Sequence, residues 1–486
     1  MYLFVIDHPY HYEAENLCRV FFPFDPVVTL YSAEAEAPQP RAVYTAVADG
    51  AYTVRIQDES GETARTAPQG GEDEYGLMAL LFEALCSHTG KTPRWGMLTG
   101  IHPIKLLRQL AARFGETEAD RLFREKYFVS AEKTALAVRT LREEAPVTAD
   151  VGENDCALYI SVPFCPTRCA YCSFVSQSVE KTKKQIPQYH ALLLEEIRAT
   201  ADCVRTLGLR LRAVYVGGGT PTTFSAEQLR AMIETVRAAF DLSACTEFTV
   251  EAGRPDTIDR EKLEALFQGG VTRISINPQT LQDSVLENIG RRHTAQQTVE
   301  AFRLARAVGF TNINMDLIVG LPGDTYESFC DTIEKVLALD PENVTVHALA
   351  LKRSSRITQS GEINRAHADA ALADRMMAYA EERLTAHGLS PYYLYRQSRM
   401  AGNLENTGWA KPGFVCAYNI FTMDETETVL ACGAGGVTKL KDPYSEDLTR
   451  IFNFKYSYEY ISRYGEILER KEGIGRQYEQ FRKRIR

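Results

Sequence analysis

Residues 158–174 read LYISVPFCPTRCAYCSF. A β-type apolar run, LYISV, ends at Pro163. Cys165, Cys169 and Cys172 follow within eight residues, spaced Cys-x-x-x-Cys-x-x-Cys. Thiolates are soft ligands suited to iron–sulfur clusters. Three of them hold three irons of a cubane and leave the fourth iron open to a chelating ligand. The competing readings are a zinc site and three unrelated thiols. Structural zinc takes four ligands, usually as paired Cys-x-x-Cys. Neither a second pair nor a nearby Cys/His pair completes such a set here.

The same texture repeats downstream. ALYISV (157–162), LRAVYVG (211–217), EFTVEA (247–252), RISINP (273–278), NINMDLIVG (312–320) and NVTVHALAL (343–351) are short apolar runs. Amphipathic helical patterns separate them, at Pro187–Thr206, Ala226–Phe240, Asp259–Phe267, Thr294–Gly309 and Tyr326–Leu339. Continuous apolar strands alternating with helices predict a parallel sheet buried on both faces. Six such units make a partial or complete β/α barrel, with its chemistry at the C-terminal strand ends. The fold class expected is therefore α/β.

With 486 residues, the chain exceeds one ordinary domain. Residues 1–145 read as an N-terminal α/β accessory domain: apolar runs at Met1–Ile6 and Ala51–Ile56, and helical patterns at Tyr75–His88 and Ala131–Glu144. Residues 146–156 read as a linker, polar and without period. The barrel core spans 157–352, and 353–486 form a C-terminal α+β extension that covers the substrate.

A composition of 45% hydrophobic and 24% charged residues fits a globular chain. A net charge of −9 argues against a nucleic-acid partner. No leader-like segment and no bilayer-length apolar run stand out, so a cytoplasmic location with no membrane partner is expected. In a reducing compartment the eleven cysteines predict no disulfide framework. Cys18, Cys86, Cys203, Cys245 and Cys330 read singly as small buried hydrophobes.

The cysteine motif after a first strand resembles that of radical S-adenosylmethionine (SAM) enzymes. The surrounding words narrow the resemblance to the oxygen-independent coproporphyrinogen dehydrogenase group: VYVGGGTPT, TVEAGRPDT, RISINPQT, GRRHT, NMDLIVGLPG and NLENTGW. WGMLTGIHPIKLL, EAGRPDTI and PYYLYRQ are similar to the HemZ branch. The resemblance implies a [4Fe–4S] cluster on Cys165, Cys169 and Cys172, one or two SAM molecules, and a 5′-deoxyadenosyl radical from reductive SAM cleavage. It places Gly217, Gly218, Gly219 and Thr220 against SAM, where the backbone must approach closely. Glu251 is implied to meet the ribose or amino acid part, with Gln279 at the next strand end. One arginine of the Arg291–Arg292 pair is implied to hold the SAM carboxylate, and Asp316 the ribose hydroxyls. Tyr159 is implied to lie beside SAM and act in catalysis, and Tyr171 to pack on the adenine side.

The well-characterised dehydrogenases carry a further cysteine two residues after the third, where this chain has Phe174. The haem-chaperone branch shares that absence. The leading expectation is an anaerobic porphyrin-biosynthesis enzyme. It would decarboxylate coproporphyrinogen III propionates to vinyl groups, with reduced flavodoxin or ferredoxin as electron donor. Lys352, Arg353, Arg356 and Arg396 are candidate partners for the substrate carboxylates. The alternatives are a haem chaperone and a radical SAM haem-modifying or methyltransferase enzyme. Chaperone relatives typically carry a His-Asn pair; the comparable pair here is Tyr418–Asn419, with Cys416 close by as another conceivable iron ligand.

Overall fold

The computed structural model describes residues 1–32, 40–174, 176–350, 370–397 and 400–483. The chain divides into two compact units, Met1–Val138 with Tyr395–Glu405, and Arg139–Leu394 with Asn406–Arg486.

The first unit holds a five-stranded sheet made of β1 (Tyr2–Ile6), β2 (Val28–Leu30), β3 (Ala42–Ala48), β4 (Ala51–Asp58) and β5 (Gly61–Pro68), in the order β2-β1-β3-β4-β5. β1 runs parallel to β2 and β3, while β3, β4 and β5 form antiparallel hairpins. Helices α1 (His11–Phe21) and α2 (Asp73–Thr89) bury Leu17, Leu77 and Leu81 against Leu3, Val54 and Ile56 of the sheet. α3 (Pro103–Phe114), α4 (Glu116–Glu125) and α5 (Ala131–Ala149) follow. The returning segment at 395–405 is fastened by Glu405. This fully buried carboxylate accepts from Trp95 Nε1 at 2.7 Å and pairs with Lys133 Nζ at 2.6 Å.

α5 runs to Ala149 with Pro146 inside it, so the first residues of the expected linker are helical. Proline removes one backbone bond, and the turn continues past it, with the Thr148 hydroxyl on Glu144 O at 3.2 Å.

The second unit is built on an eleven-stranded sheet. Its centre is β6 (Asp155–Val162), β9 (Arg210–Gly218), β10 (Glu247–Glu251), β11 (Arg273–Ser275), β12 (Ile313–Val319) and β13 (Asn343–Ala348), all parallel. A two-stranded ribbon, β7 (Phe164–Cys165) with β8 (Gln177–Ser178), stands apart. Helices α6 (Val179–Thr182), α7 (Ile186–Leu207), α8 (Ala226–Ala239), α9 (Arg260–Gln268), α10 (Asp283–Asn288), α11 (Ala295–Val308) and α12 (Tyr326–Leu339) fill the crossovers. Capping boxes led by Ser225, Thr294 and Thr325 start α8, α11 and α12. This is the open β/α barrel that strand–helix alternation predicts.

The C-terminal region joins that barrel more closely than a covering extension would. β14 (Ser390–Tyr395) and β15 (Asn406–Ala410) extend one edge, and β15 pairs antiparallel with β13. β16 (Thr428–Cys432) pairs parallel with β6 at the other edge, followed by antiparallel β17 (Val437–Lys441) and β18 (Leu448–Phe452). Glu196 of α7 is fully buried behind this edge. It accepts from Gly433 N at 2.7 Å, Tyr460 OH at 2.6 Å and Asn453 Nδ2 at 2.8 Å, and pairs with Lys471 Nζ at 3.0 Å. Among the described residues no helix is long and apolar enough to cross a membrane.

Candidate active site

β6 ends at Val162, and the cysteine loop begins at once. Its first residues are gripped by the glycine run that ends β9. Gly219 N donates to Val162 O at 2.8 Å, and Thr220 N to Phe164 O at 2.7 Å. A Cβ on Gly219 would lie 2.6 Å from Phe164 O, so only glycine fits. Thr220 Oγ1 donates to Cys165 Sγ at 3.5 Å. Farther along, Ala170 N reaches Ile289 O at 2.9 Å and Cys172 N reaches Cys169 O at 3.2 Å. Arg254 braces the loop from the turn that follows β10: it pairs with Asp256 at 2.9 Å, donates to Thr167 O at 3.3 Å and meets Cys169 Sγ at 3.8 Å.

Burial pushes the Cys165 thiol up, and burial with the Cys169 charge pushes Cys172 up to about 11. The thiols thus sense one another. Yet among the described residues no three His, Cys, Asp or Glu side chains close around a single ion. Cubane ligands sit on separate irons and stand farther apart. Three thiols within eight residues of one braced loop, close enough to influence one another's ionisation, fit an iron–sulfur cluster, whose assembly would release their protons.

The strand ends beside this loop are polar. Gly217 leaves room beside Glu251, whose Oε1 would be 2.9 Å from a Cβ there. Gly218, at φ +109°, turns the backbone beside Ser161. Glu251 closes β10 and accepts from Tyr215 OH at 2.7 Å. Removal from water, with the nearby Asp316 charge, pushes its carboxyl up to about 7. Asp316 on β12 accepts from Asn314 Nδ2 at 2.7 Å and faces His347 Nε2 at 3.9 Å. Burial works to raise its pKa, but His347 and Asn314 outweigh it and hold the carboxyl below its ordinary value. Gln279 adopts φ +67°, rare outside glycine. It is held by bonds from its N to Asp316 O (2.9 Å) and from Ile318 N to its O (3.0 Å).

The two arginines of GRRHT part company. Arg291 is buried and donates to Asn277 O at 2.7 Å, Gly253 O at 3.3 Å and Tyr171 OH at 3.1 Å. Its Nε has no hydrogen-bond partner among the described residues. Arg292 points to solvent and meets only Glu180, at 3.4 Å, among the bonds and ion pairs described. Tyr159 lies in a stack with Tyr215 and Tyr418, at centroid separations of 6.3 and 6.1 Å, and Tyr215 and Tyr418 stack at 4.5 Å.

Three participants were not singled out in the sequence. Arg254 lay inside a quoted word without a role. Tyr215 falls two residues before Gly217, and strand period places it on the face of Glu251. His347 on β13 is registered with Ile318 of β12, two residues past Thr345, the partner of Asp316, and so shares that face. The substrate candidates fare differently. Lys352, Arg353 and Arg356 lie outside the described residues. Arg396 is buried in the first unit, on Leu98 O at 2.6 Å and Asn403 O at 3.4 Å, with its pKa lowered by burial to about 10. Two of its guanidinium nitrogens cap those backbone carbonyls, and its Nε has no hydrogen-bond partner among the described residues.

Residues 159–336 match the radical SAM superfamily. The oxygen-independent coproporphyrinogen-III oxidase-like protein HemZ of Bacillus subtilis is 36% identical over 391 residues, 80% of this chain and 78% of that protein. The heme chaperone HemW of the same organism is 32% identical over 57% of this chain and 69% of its own length. Among solved structures, coproporphyrinogen III oxidase HemN from Escherichia coli aligns with a TM-score of 0.53 at 24% identity, over 66% of this chain and 71% of that one. The strands and loops just described thus carry a shared architecture, and the chain belongs to the radical SAM, oxygen-independent coproporphyrinogen III oxidase-like family in which HemZ stands.

Proposed function

We propose that the chain catalyses radical SAM-dependent oxidative decarboxylation of coproporphyrinogen III propionates to vinyl groups. Cys165, Cys169 and Cys172 would hold the cluster. Gly217, Gly218, Gly219, Thr220, Glu251, Gln279, Arg291 and Asp316 would hold SAM, with Tyr159 and Tyr171 beside it. Bound together, those groups supply a hydrogen-atom abstractor. The chain's part is to orient: Arg291 offers a buried cation, Asp316 an ionised acceptor, and Glu251 an acceptor that gains its charge near neutral pH. Arg292 is left out of this set, because it points to solvent.

The observation that favours an enzyme over a haem chaperone is the state of the Tyr418–Asn419 position. Tyr418 is packed in the tyrosine stack, and Asn419 Nδ2 donates to Tyr392 OH at 3.2 Å. The Cys416 thiol donates a hydrogen bond to buried Glu247 Oε1 at 3.0 Å. None of the three is poised to ligate haem iron. Anaerobic incubation of the reconstituted protein with SAM, dithionite and coproporphyrinogen III, read by mass spectrometry, should show 5′-deoxyadenosine with vinyl product. Tight haem binding without either product would establish the chaperone reading instead.

A further inference from the structure

A small pocket of about 160 Å³ lies where β6 and β16 begin, at the opposite end of these strands from the cysteine loop. Residues 151–153, 426–428 and 441–443 wall it, together with Asp155. β6 runs the eight residues from Asp155 to Val162, so roughly 20 Å of strand separates the pocket from the cysteines. No residue of the strand-end site takes part in it.

Glu427 lines this pocket and is only 3% exposed. Neither of its carboxylate oxygens has a hydrogen-bond partner among the described residues, nor has the adjacent Thr426 hydroxyl. The groups around it are engaged elsewhere. Arg210 and Arg212 hold Asp155 at 2.6 and 2.7 Å, and Gly152 N donates to the same carboxylate at 2.9 Å. Lys441 Nζ donates to Asp442 O at 3.1 Å and to Ser445 O. The Asp442 carboxylate accepts from Tyr444 N at 2.9 Å and Ser445 Oγ at 3.0 Å. The Tyr478 and Thr428 hydroxyls bond each other at 2.6 Å. The fully buried Cys156 thiol also faces Glu427, and exposed Glu153 stands at the mouth. Buried polar groups nearly always have partners, so an orphaned carboxylate on a pocket wall is a receptor awaiting donors.

We propose that this pocket binds a small N–H-donating organic cation, an alkylammonium or guanidinium head group, through the Glu427 carboxylate. Such a cation brings both the missing donors and the missing charge. A divalent metal suits the pocket less. It needs several oxygen ligands at once, and among the described residues no three His, Cys, Asp or Glu side chains are grouped to hold one. Burial and the Asp155 charge push the empty Glu427 carboxyl well above its ordinary range, against the opposing pull of Arg212 and Arg210. An arriving cation favours the ionised form, so binding expels the carboxyl proton. Occupied, the pocket fastens the start of β16 to that of β6, where Thr428 is registered with Cys156. None of this depends on the radical SAM reading.

The test is titration calorimetry of the reconstituted holoprotein at constant ionic strength, in two buffers of unlike ionisation heat. Methylammonium and methylguanidinium chlorides are the probes; potassium and tetramethylammonium chlorides supply the same charge without N–H donors. At least one probe should bind saturably with one site, and the tighter of the two identifies the head group. Comparison of the buffers should show proton release, and affinity should climb with pH by up to about tenfold per unit. Glu427→Gln should weaken binding by about tenfold or more and abolish the proton release. Equal binding of potassium or tetramethylammonium, or unchanged probe affinity in the variant, would overturn the proposal. Should the variant fail to fold, wild type decides alone: absence of saturable binding, or binding without proton release, sinks the assignment of Glu427.

Discussion

Glu196 behind the sheet and Glu251 at its mouth are carboxylates of the same unit in opposite circumstances. Glu196 receives three hydrogen-bond donors and the Lys471 ammonium, so its acceptor capacity is spent inside the protein. Glu251 receives Tyr215 alone among the described hydrogen bonds, and its carboxyl is driven up to about 7 by burial and by Asp316. A buried polar group with all partners supplied is a fastening; one left under-supplied beside glycines is a place for a ligand. The same contrast separates Glu405 in the first unit, closed by Trp95 and Lys133, from Arg291, whose Nε stays open at the strand ends.

The largest effects should come from the site itself. Replacing Cys165, Cys169 or Cys172 by alanine should abolish the brown cluster absorbance and SAM cleavage; replacing Cys203 or Cys330 should leave both intact. A full cluster in a triad variant would break the assignment. Next, Glu196→Ala strands buried Lys471 and should lower unfolding free energy by about 3–5 kcal/mol in urea denaturation. Glu251→Gln should not lower it, and equal losses would erase the contrast between the two carboxylates. Third, Arg291→Ala should weaken SAM binding by roughly 1.5–3 kcal/mol, the worth of a charged hydrogen bond, whereas Arg292→Ala should leave calorimetric SAM affinity unchanged. Losses of similar size in both would undo the division drawn between inward and outward arginines.

The smallest effect is a pH dependence. Because the Glu251 pKa is raised, the ligand-free carboxyl is neutral below about 7 and ionised above. SAM hydroxyl or amine donors favour the ionised form, so affinity should climb as pH rises through 7 and should lose that slope in Glu251→Gln. The same shift has a stability sign. The protonated carboxyl favours the fold below the ordinary carboxylate range, and that contribution is lost as pH rises through about 7. A pH-independent wild-type affinity would show that Glu251 makes no charge-dependent contact.

The barrel strands were legible because each is a continuous apolar run, and the cysteine spacing is hard to mistake. The first unit was less so. β5 reads GETARTAP and is largely exposed, with no apolar period to betray it. β15, NTGWA, is entirely buried yet mostly polar and small, because it lies against β13 inside the sheet. Arg254 and Tyr215 escaped notice for another reason. A role earned by touching Thr167 and Cys169, or Glu251, depends on contacts between strands distant in sequence.

The pairing of β6 with β16 sets a timetable for biogenesis. β6 launches the cysteine loop, and its outer neighbour is registered from Thr428↔Cys156 to Cys432↔Ile160. A ribosome making the chain in order releases the three thiols long before that neighbour exists. Until then β6 has an unsatisfied edge, and the loop hangs from half a scaffold. Closing so distant a contact is a late event in folding. Iron loading should accordingly follow synthesis of nearly the whole chain, and a nascent chain stalled before Thr428 would offer iron-delivery factors a loose thiol-bearing segment in place of a finished socket.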